Sequence, residues 1–141
     1  MKITSVMLAA GQGTRMKSDL PKMLHPICGL PMVFHALRAS QSASTEKPVV
    51  VIGHGADSVR NVIGSFAECV VQEQQLGTGH AVMQAEALLR GKTDYVLVTY
   101  GDMPLLRPET LEKLVAAQQA NQGPITMLTV EYDNPRGFGR I

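Results

Sequence analysis

Cysteine appears only at Cys28 and Cys69. The two lie far apart and in no metal-ligand spacing, so neither a disulfide-stapled scaffold nor a cysteine zinc site organises the chain, and both read as reduced thiols of a cytoplasmic protein. An excess of charge of one sign is missing as well. The 13 Lys and Arg against 12 Asp and Glu leave a net charge of +1, with the signs interspersed, and nothing calls for nucleic acid or an anionic membrane as partner. No apolar run approaches a membrane span. Met1-Lys2 ahead of Ile3 to Ala10 has the outline of a signal peptide, but its strongly apolar part, Val6 to Ala10, is short for such a core and a glycine loop follows at once, so a buried strand explains it better. Internal repeats, low-complexity tracts and a Ser/His/Asp or Cys/His nucleophile set are also absent.

What is present is an ordinary globular composition. Within 141 residues, 45% are apolar and 18% charged, enough for one domain with a real core and unlike a disordered chain. Apolar, often β-branched runs alternate with segments of helical period. Strands are expected at Ile3 to Leu8, Pro48 to Ile52, Cys69 to Gln72, Tyr95 to Thr99 and Ile125 to Val130. Between them, helices are expected from Pro31 to about Ala43; after an Asp57 cap, with Val59, Val62, Ile63 and Phe66 inward; from Gly77-Thr78-Gly79 through Leu89 to a stop at Gly91; and from Pro108 to near Asn121–Gly123 with Leu111, Leu114 and Val115 inward. Strict alternation of this kind predicts an α/β fold, a mostly parallel sheet flanked by helices, with ligands at the carboxyl ends of the strands.

One connection is out of proportion. Gly11 to Leu30 is far longer than a strand-to-helix turn, and Pro21, Pro26 and Pro31 prevent a continuous helix across it. Long loops on this edge of a sheet are usually functional. The loop opens with Leu8-Ala9-Ala10-Gly11-Gln12-Gly13-Thr14-Arg15-Met16 and continues to Leu20-Pro21-Lys22. Its small residues let backbone N–H groups approach phosphate oxygens, Arg15 can fork onto them, and Lys22 adds a compact charge. A glycine loop by itself is equally a tight turn. The third glycine of a dinucleotide fingerprint is replaced by Met16, and the Gly-Lys-Ser/Thr ending of a Walker loop is absent. The cations therefore suit a nucleoside triphosphate better than a dinucleotide.

Two further features fall at neighbouring strand ends. Tyr100-Gly101-Asp102 ends the fourth strand, and Asp102 there is either a turn residue or a carboxylate ligand for Mg²⁺, which takes one or two carboxylates plus phosphate oxygens. Gln72-Glu73-Gln74-Gln75-Leu76-Gly77-Thr78-Gly79 is either a polar loop opening a helix or a base-reading loop, since an amide offers both donors and an acceptor. His25, His35, His54 and His80 are scattered and read as loop or packing residues. The eight methionines read mostly as core filling.

Together these residues resemble the sugar-1-phosphate nucleotidyltransferase superfamily, marked by Leu-Ala-Ala-Gly-x-Gly-Thr-Arg-Met followed by Pro-Lys. Gln72, Gln75, Leu76 to Ala81, Tyr100 to Leu105, Gly53-His54-Gly55 and Gly137 to Ile141 are similar to the branch that makes UDP-N-acetylglucosamine. The resemblance implies a Rossmann-like fold and UTP contacts from Leu8, Ala9, Ala10, Gly11 and Gly13. It implies phosphate contacts from Arg15 and Lys22, uridine contacts from Gln72, Gln75, Gly77 and Thr78, ribose and sugar contacts from Tyr100 and Gly101, Mg²⁺ at Asp102 and sugar phosphate at Gly139. The implied reaction is in-line attack of N-acetylglucosamine 1-phosphate on the α-phosphorus of UTP, releasing pyrophosphate and supplying peptidoglycan and lipopolysaccharide precursors.

In that family the domain continues well beyond the last strand read here, with the amino-sugar wall, a second metal ligand and, in bifunctional members, a β-helical acetyltransferase domain. The chain is therefore expected to be the nucleotide-binding portion of one such domain, slow or inactive alone and prone to self-association through uncovered apolar faces.

Overall fold

A computed structural model describes residues 1–134. Strand β1 (Ile3–Ala9) is buried along its whole length. The long connection then folds into two 3₁₀ turns, Thr14–Met16 and Lys22–Leu24, and a small antiparallel hairpin of β2 (Pro26–Ile27) and β3 (Leu30–Pro31). Helix α1 (Met32–Ser42), β4 (Val49–Ile52), α2 (Ala56–Ile63), β5 (Glu68–Val71), α3 (Thr78–Gln84), α4 (Glu86–Leu89), β6 (Tyr95–Tyr100) and α5 (Pro108–Ala120) follow. The main sheet is wholly parallel in the order β5-β4-β1-β6, so the alternation of elements reads through to the architecture.

Strand periodicity explains the two main cores. Met7 and Ala9 face one way, joining Val50, Ile52 and the inner residues of α1 and α2, Val33, Ala36, Leu37, Val59 and Ile63. Val6, Leu8 and Ala10 face the other way onto Ala81, Ala85 and Leu89 of the α3–α4 region. A third cluster seats Leu111 of α5 against Ile3, Ala39 and Leu97. Pro108 opens α5 at its first turn, where its missing N–H costs nothing.

Four expectations need correction. Ile125 to Val130 forms no strand: the segment joins no ladder among the described residues, and Ile125, Met127, Leu128 and Val130 are exposed. An apolar run becomes a strand only through a partner's hydrogen bonds, and a groove of about 640 Å³ separates this one from β6. Val62 and Phe66 are exposed rather than inward. The helix ends at Ile63, and the following 3₁₀ turn carries Phe66 outward to lie edge-on against Phe34, with ring centroids 5.4 Å apart. Asp57 makes no cap hydrogen bond; Gly55, at φ 65°, occupies the cap position and leaves Asp57 in the first turn. The helix from Thr78 to Leu89 is interrupted at Ala85, where N–H bonds from Ala85 to Val82 and from Leu88 to Ala85 tighten it.

The two thiols are free and unlike. Cys28 is exposed in the β2–β3 turn, whereas Cys69 is half-buried in β5. Burial pushes the Cys69 thiol up from its ordinary value, against the opposing pull of Arg60 and Lys47. Because the thiolate is the nucleophile, iodoacetamide at neutral pH is expected to label Cys28 well before Cys69, as read by peptide mass spectrometry. Equal rates would show that Cys69 is neither shielded nor raised.

Candidate functional site

In the order β5-β4-β1-β6 the chain leaves β1 first toward β4 and β5, then crosses back to β6 on the opposite side. The crevice of such a sheet opens at the carboxyl ends where that reversal occurs, between β1 and β6. Gly101 closes the ladder there, donating its N–H to the Leu8 carbonyl at 2.9 Å. Space at this junction is short: a Cβ on Gly101 would stand 2.9 Å from Met23 Sδ and 3.3 Å from Ala9 Cβ.

The loop after β1 is folded back on itself. Gly13 has φ 64°, a left-handed conformation natural to glycine, and a Cβ on it would stand 2.6 Å from Lys22 Cβ. Gly13 thus lets the Pro21–Lys22 segment lie against the loop. His25 and His35 brace the same region through the Leu20 and Ile27 carbonyls, at 3.2 and 2.8 Å. Lys22 and Asp102, eighty residues apart, meet with Nζ 2.6 Å from Oδ2. Both side chains keep about a third of their surface exposed, so the pair is part of an open site.

The third strand end comes in from the other side. The Gln72 N–H donates to the Ile52 carbonyl at 2.8 Å, extending β5 by one rung. The Gln72 side chain is buried and donates from Nε2 to the Gly77 carbonyl at 3.2 Å, with His80 Nδ1 at 3.0 Å. Gln75 reaches back to donate from Nε2 to the Ala10 carbonyl at 2.8 Å, tying this loop to the glycine loop. Gly77, at φ 103°, turns the chain into α3.

These segments enclose a pocket of about 330 Å³. Of the residues singled out in the sequence, it brings together Leu8, Ala10, Gly11, Gly13, Lys22, Gln72, Gln75, Gly77, Thr78, Tyr100 and Asp102. Ala9 and Gly101 lie behind the wall, facing each other. Arg15 is exposed on the Thr14–Met16 turn and does not line the pocket. Gly139 lies outside the described residues. Met23 and Ala81 complete the lining. The helical period placed Ala81 inward, while Met23 carried no signal because its role comes only from how the loop folds.

An electropositive loop, a carboxylate at a switch point and amides at the far wall make a site for an anionic, polar ligand with a flat hydrogen-bonding end. The comparison with known sequences then decides the class: a model for the MobA-like NTP transferase domain matches residues 5–138. The chain belongs to the MobA-like NTP transferase family. Relatives in this family include the bifunctional protein GlmU of an Exiguobacterium species, 49% identical over 141 residues, and that of Geobacter metallireducens, 47% identical; they cover 100% and 99% of this chain. The chain spans just under a third of the length of these relatives, 31% and 30%. Among solved structures, the manganese complex of Rv0371C from Mycobacterium tuberculosis superposes with a TM-score of 0.70 at 25% identity, covering 85% of this chain and 61% of that one. A UDP-glucose pyrophosphorylase complexed with UDP-glucose gives a TM-score of 0.63 at 25% identity, covering 84% and 54%.

In this member of the MobA-like NTP transferase family the described residues hold no group of three His, Cys, Asp or Glu side chains placed for a metal ion. The single carboxylate of Asp102 is of the kind that suits a divalent cation in nucleotide sites, where one hard oxygen is completed by phosphate oxygens and water. No helix among the described residues is long and apolar enough to cross a membrane.

Proposed function

We propose that this chain is the nucleotide-binding portion of a uridylyltransferase domain that makes UDP-N-acetylglucosamine from UTP and N-acetylglucosamine 1-phosphate in the cytoplasm. The observation that carries the proposal is the meeting of Gly11, Gly13, Lys22, Asp102, Gln72 and Gly77 around one pocket. The GlmU relatives and the nucleotidyltransferase neighbours support it.

In the proposed reaction a phosphate oxygen of the sugar phosphate attacks the α-phosphorus of UTP, and the bond to the bridging oxygen of the β-phosphate breaks as pyrophosphate leaves. No covalent enzyme intermediate is needed, so positioning and charge neutralisation are the protein's tasks. Backbone N–H groups at Gly11 and Gly13 would line the phosphate path, Lys22 would neutralise a phosphate oxygen, and Arg15 would add a second cation from the loop. Tyr100 would border the ribose. When bound at Asp102, Mg²⁺ supplies further charge for the phosphates. Gln72, Gln75, Gly77 and Thr78 would face the base. Gly139 is proposed for the sugar phosphate, and the exposed Val96 and Val98 of edge strand β6 are the faces through which isolated chains would self-associate.

The test is a thermal-shift titration with UTP, CTP, GTP and ATP at equal Mg²⁺. UTP is expected to give the largest stabilisation, because only the amide-lined end of the pocket distinguishes the bases. Equal shifts would sink the uridine assignment and leave a general triphosphate site. The likeness to a UDP-glucose pyrophosphorylase favours a second reading with the same base and another sugar, which binding of competing sugar 1-phosphates separates.

A further inference from the structure

We propose that Gly55, which stands outside the pocket lining, is a positioning residue for Lys22 and so for the triphosphate. The inference rests on the reading of Lys22 as a phosphate cation given above. It begins with Gly53-His54-Gly55, which connects β4 to α2 and adds no residue to the pocket wall. Gly55 has φ 65°, and a Cβ on it would stand 2.5 Å from Pro21 Cγ and 3.2 Å from Pro21 Cβ. On the other side of the same dipeptide, a Cβ on Gly13 would stand 2.6 Å from Lys22 Cβ. Pro21-Lys22 is therefore held between two glycines from two different loops, each in the left-handed region that a side chain rarely adopts.

The Gly55 side of this clamp is the firmer one. Gly53 lies so close to the end of β1 that a Cβ there would stand 2.8 Å from the Ala10 carbonyl oxygen, and the His54 N–H donates to that oxygen at 3.4 Å. Beyond Gly55, α2 is fastened by the fully buried Val59 and Ile63. In the turn Lys22–Leu24, by contrast, Met23 alone is buried.

Carbon atoms settle at roughly 3.5–4.0 Å from one another, so a methyl group on Gly55 has to push the proline ring away by about 1 Å. The ring closes on its own backbone nitrogen and cannot swing aside as an open side chain does. The shift passes to Lys22, whose Nζ lies 2.6 Å from Asp102 Oδ2 across the pocket. A misplacement of about 1 Å in a group aimed at a reacting phosphate is costly. Gly13 and Gly55 together thus set where Lys22 stands, and the connection after β4 acts on the phosphate site from behind its wall.

The experiment measures UTP·Mg²⁺ affinity by calorimetry, with the melting temperature alongside. It compares the wild-type chain with Gly55→Ala, Gly91→Ala, Lys22→Met, Pro21→Ala and the double variant Pro21→Ala/Gly55→Ala. Gly91 also has a positive φ, 72°, but a Cβ there would meet nothing within 4 Å, so Gly91→Ala carries the backbone strain without the collision. Gly55→Ala should bind UTP about tenfold more weakly than the wild type, on the scale of one charge-assisted contact, and Gly91→Ala should bind like the wild type. In Pro21→Ala the colliding Cγ is gone, and adding Gly55→Ala should cost little further affinity. A merely structural glycine would lower the melting temperature and leave affinity as it was. Wild-type affinity in Gly55→Ala, beside a weakened Lys22→Met, therefore overturns the proposal. So does a tenfold loss in Gly91→Ala, or an equal loss from Gly55→Ala with and without Pro21. Should Gly55→Ala not fold, the double variant decides: affinity like that of Pro21→Ala upholds the proposal, and a tenfold loss overturns it. Wild-type affinity in Lys22→Met instead overturns the phosphate reading of Lys22, and this proposal with it.

Discussion

Lys22→Met is expected to weaken UTP·Mg²⁺ binding by about tenfold to a hundredfold, as befits the loss of one charge-assisted contact. The melting temperature should barely move. The Lys22–Asp102 pair keeps about a third of each side chain in water, and exposed ion pairs contribute only about 0–1 kcal/mol to stability. Methionine retains the aliphatic stem that lies against Gly13, so packing of the loop survives and the charge alone is removed. Asp102→Asn is the matching arm. It keeps the shape but removes the carboxylate charge, so the Mg²⁺-dependent part of UTP affinity should fall while Mg²⁺-free affinity holds or rises. Calorimetry with and without Mg²⁺ reads both. Wild-type affinity in Lys22→Met would mean that the cation is structural, and equal Mg²⁺ dependence in Asp102→Asn would return that residue to a turn role.

Ile52→Ala should produce the largest loss of stability, about 2–5 kcal/mol, because it removes three carbons from a site that does not collapse. Ile52 is fully buried in β4 within the cluster that joins Met7, Val50, Val59 and Ile63. Against a total stability of about 5–15 kcal/mol this is a large fraction. Val62→Ala is the internal comparison. Val62 is 38% exposed on α2, and its loss should cost no more than about 0.5–1 kcal/mol. Urea unfolding of the two variants gives the contrast directly. Similar losses would restore Val62 to the core face, where simple helical spacing had put it.

That contrast shows where sequence reading succeeds and stops. Strand β4 was legible because a buried parallel strand is an unbroken apolar run, and no other short element looks like Val49–Ile52 between Pro48 and Gly53; β1, β5 and β6 were legible from the apolar runs Val6–Ala9, Cys69–Val71 and Tyr95–Val98. The same rule misread Ile125 to Val130, because apolarity measures the wish for burial and not the presence of a neighbouring ladder. Val62 and Phe66 were misplaced because the helix ends at Ile63, a boundary that Gly64 marks but does not fix. At the site, the glycine loop, Lys22, Asp102 and Gln72 were legible as residue types at strand ends. The contact of Lys22 with Asp102 was not, nor the bond of Gln75 to Ala10, since both depend on the path of a loop whose turns pattern reasoning leaves open.

The strand order also sets a sequence of events in time. β1 precedes the other strands in chain order and lies inside the sheet, yet its longest pairing, Ile3–Leu8 against Tyr95–Tyr100, joins residues that emerge far apart. At about 5–20 residues per second, β1 waits roughly 5–20 s for that partner. Until then it can be covered only on the side of β4, and the non-local pairing itself is slow to form. Lys22 and Asp102 cannot meet before that moment, so the pocket takes shape only after β6 has emerged. Through that interval the nascent chain carries an apolar strand with one edge uncovered, which makes its passage from the ribosome a stage at which a chaperone is most useful.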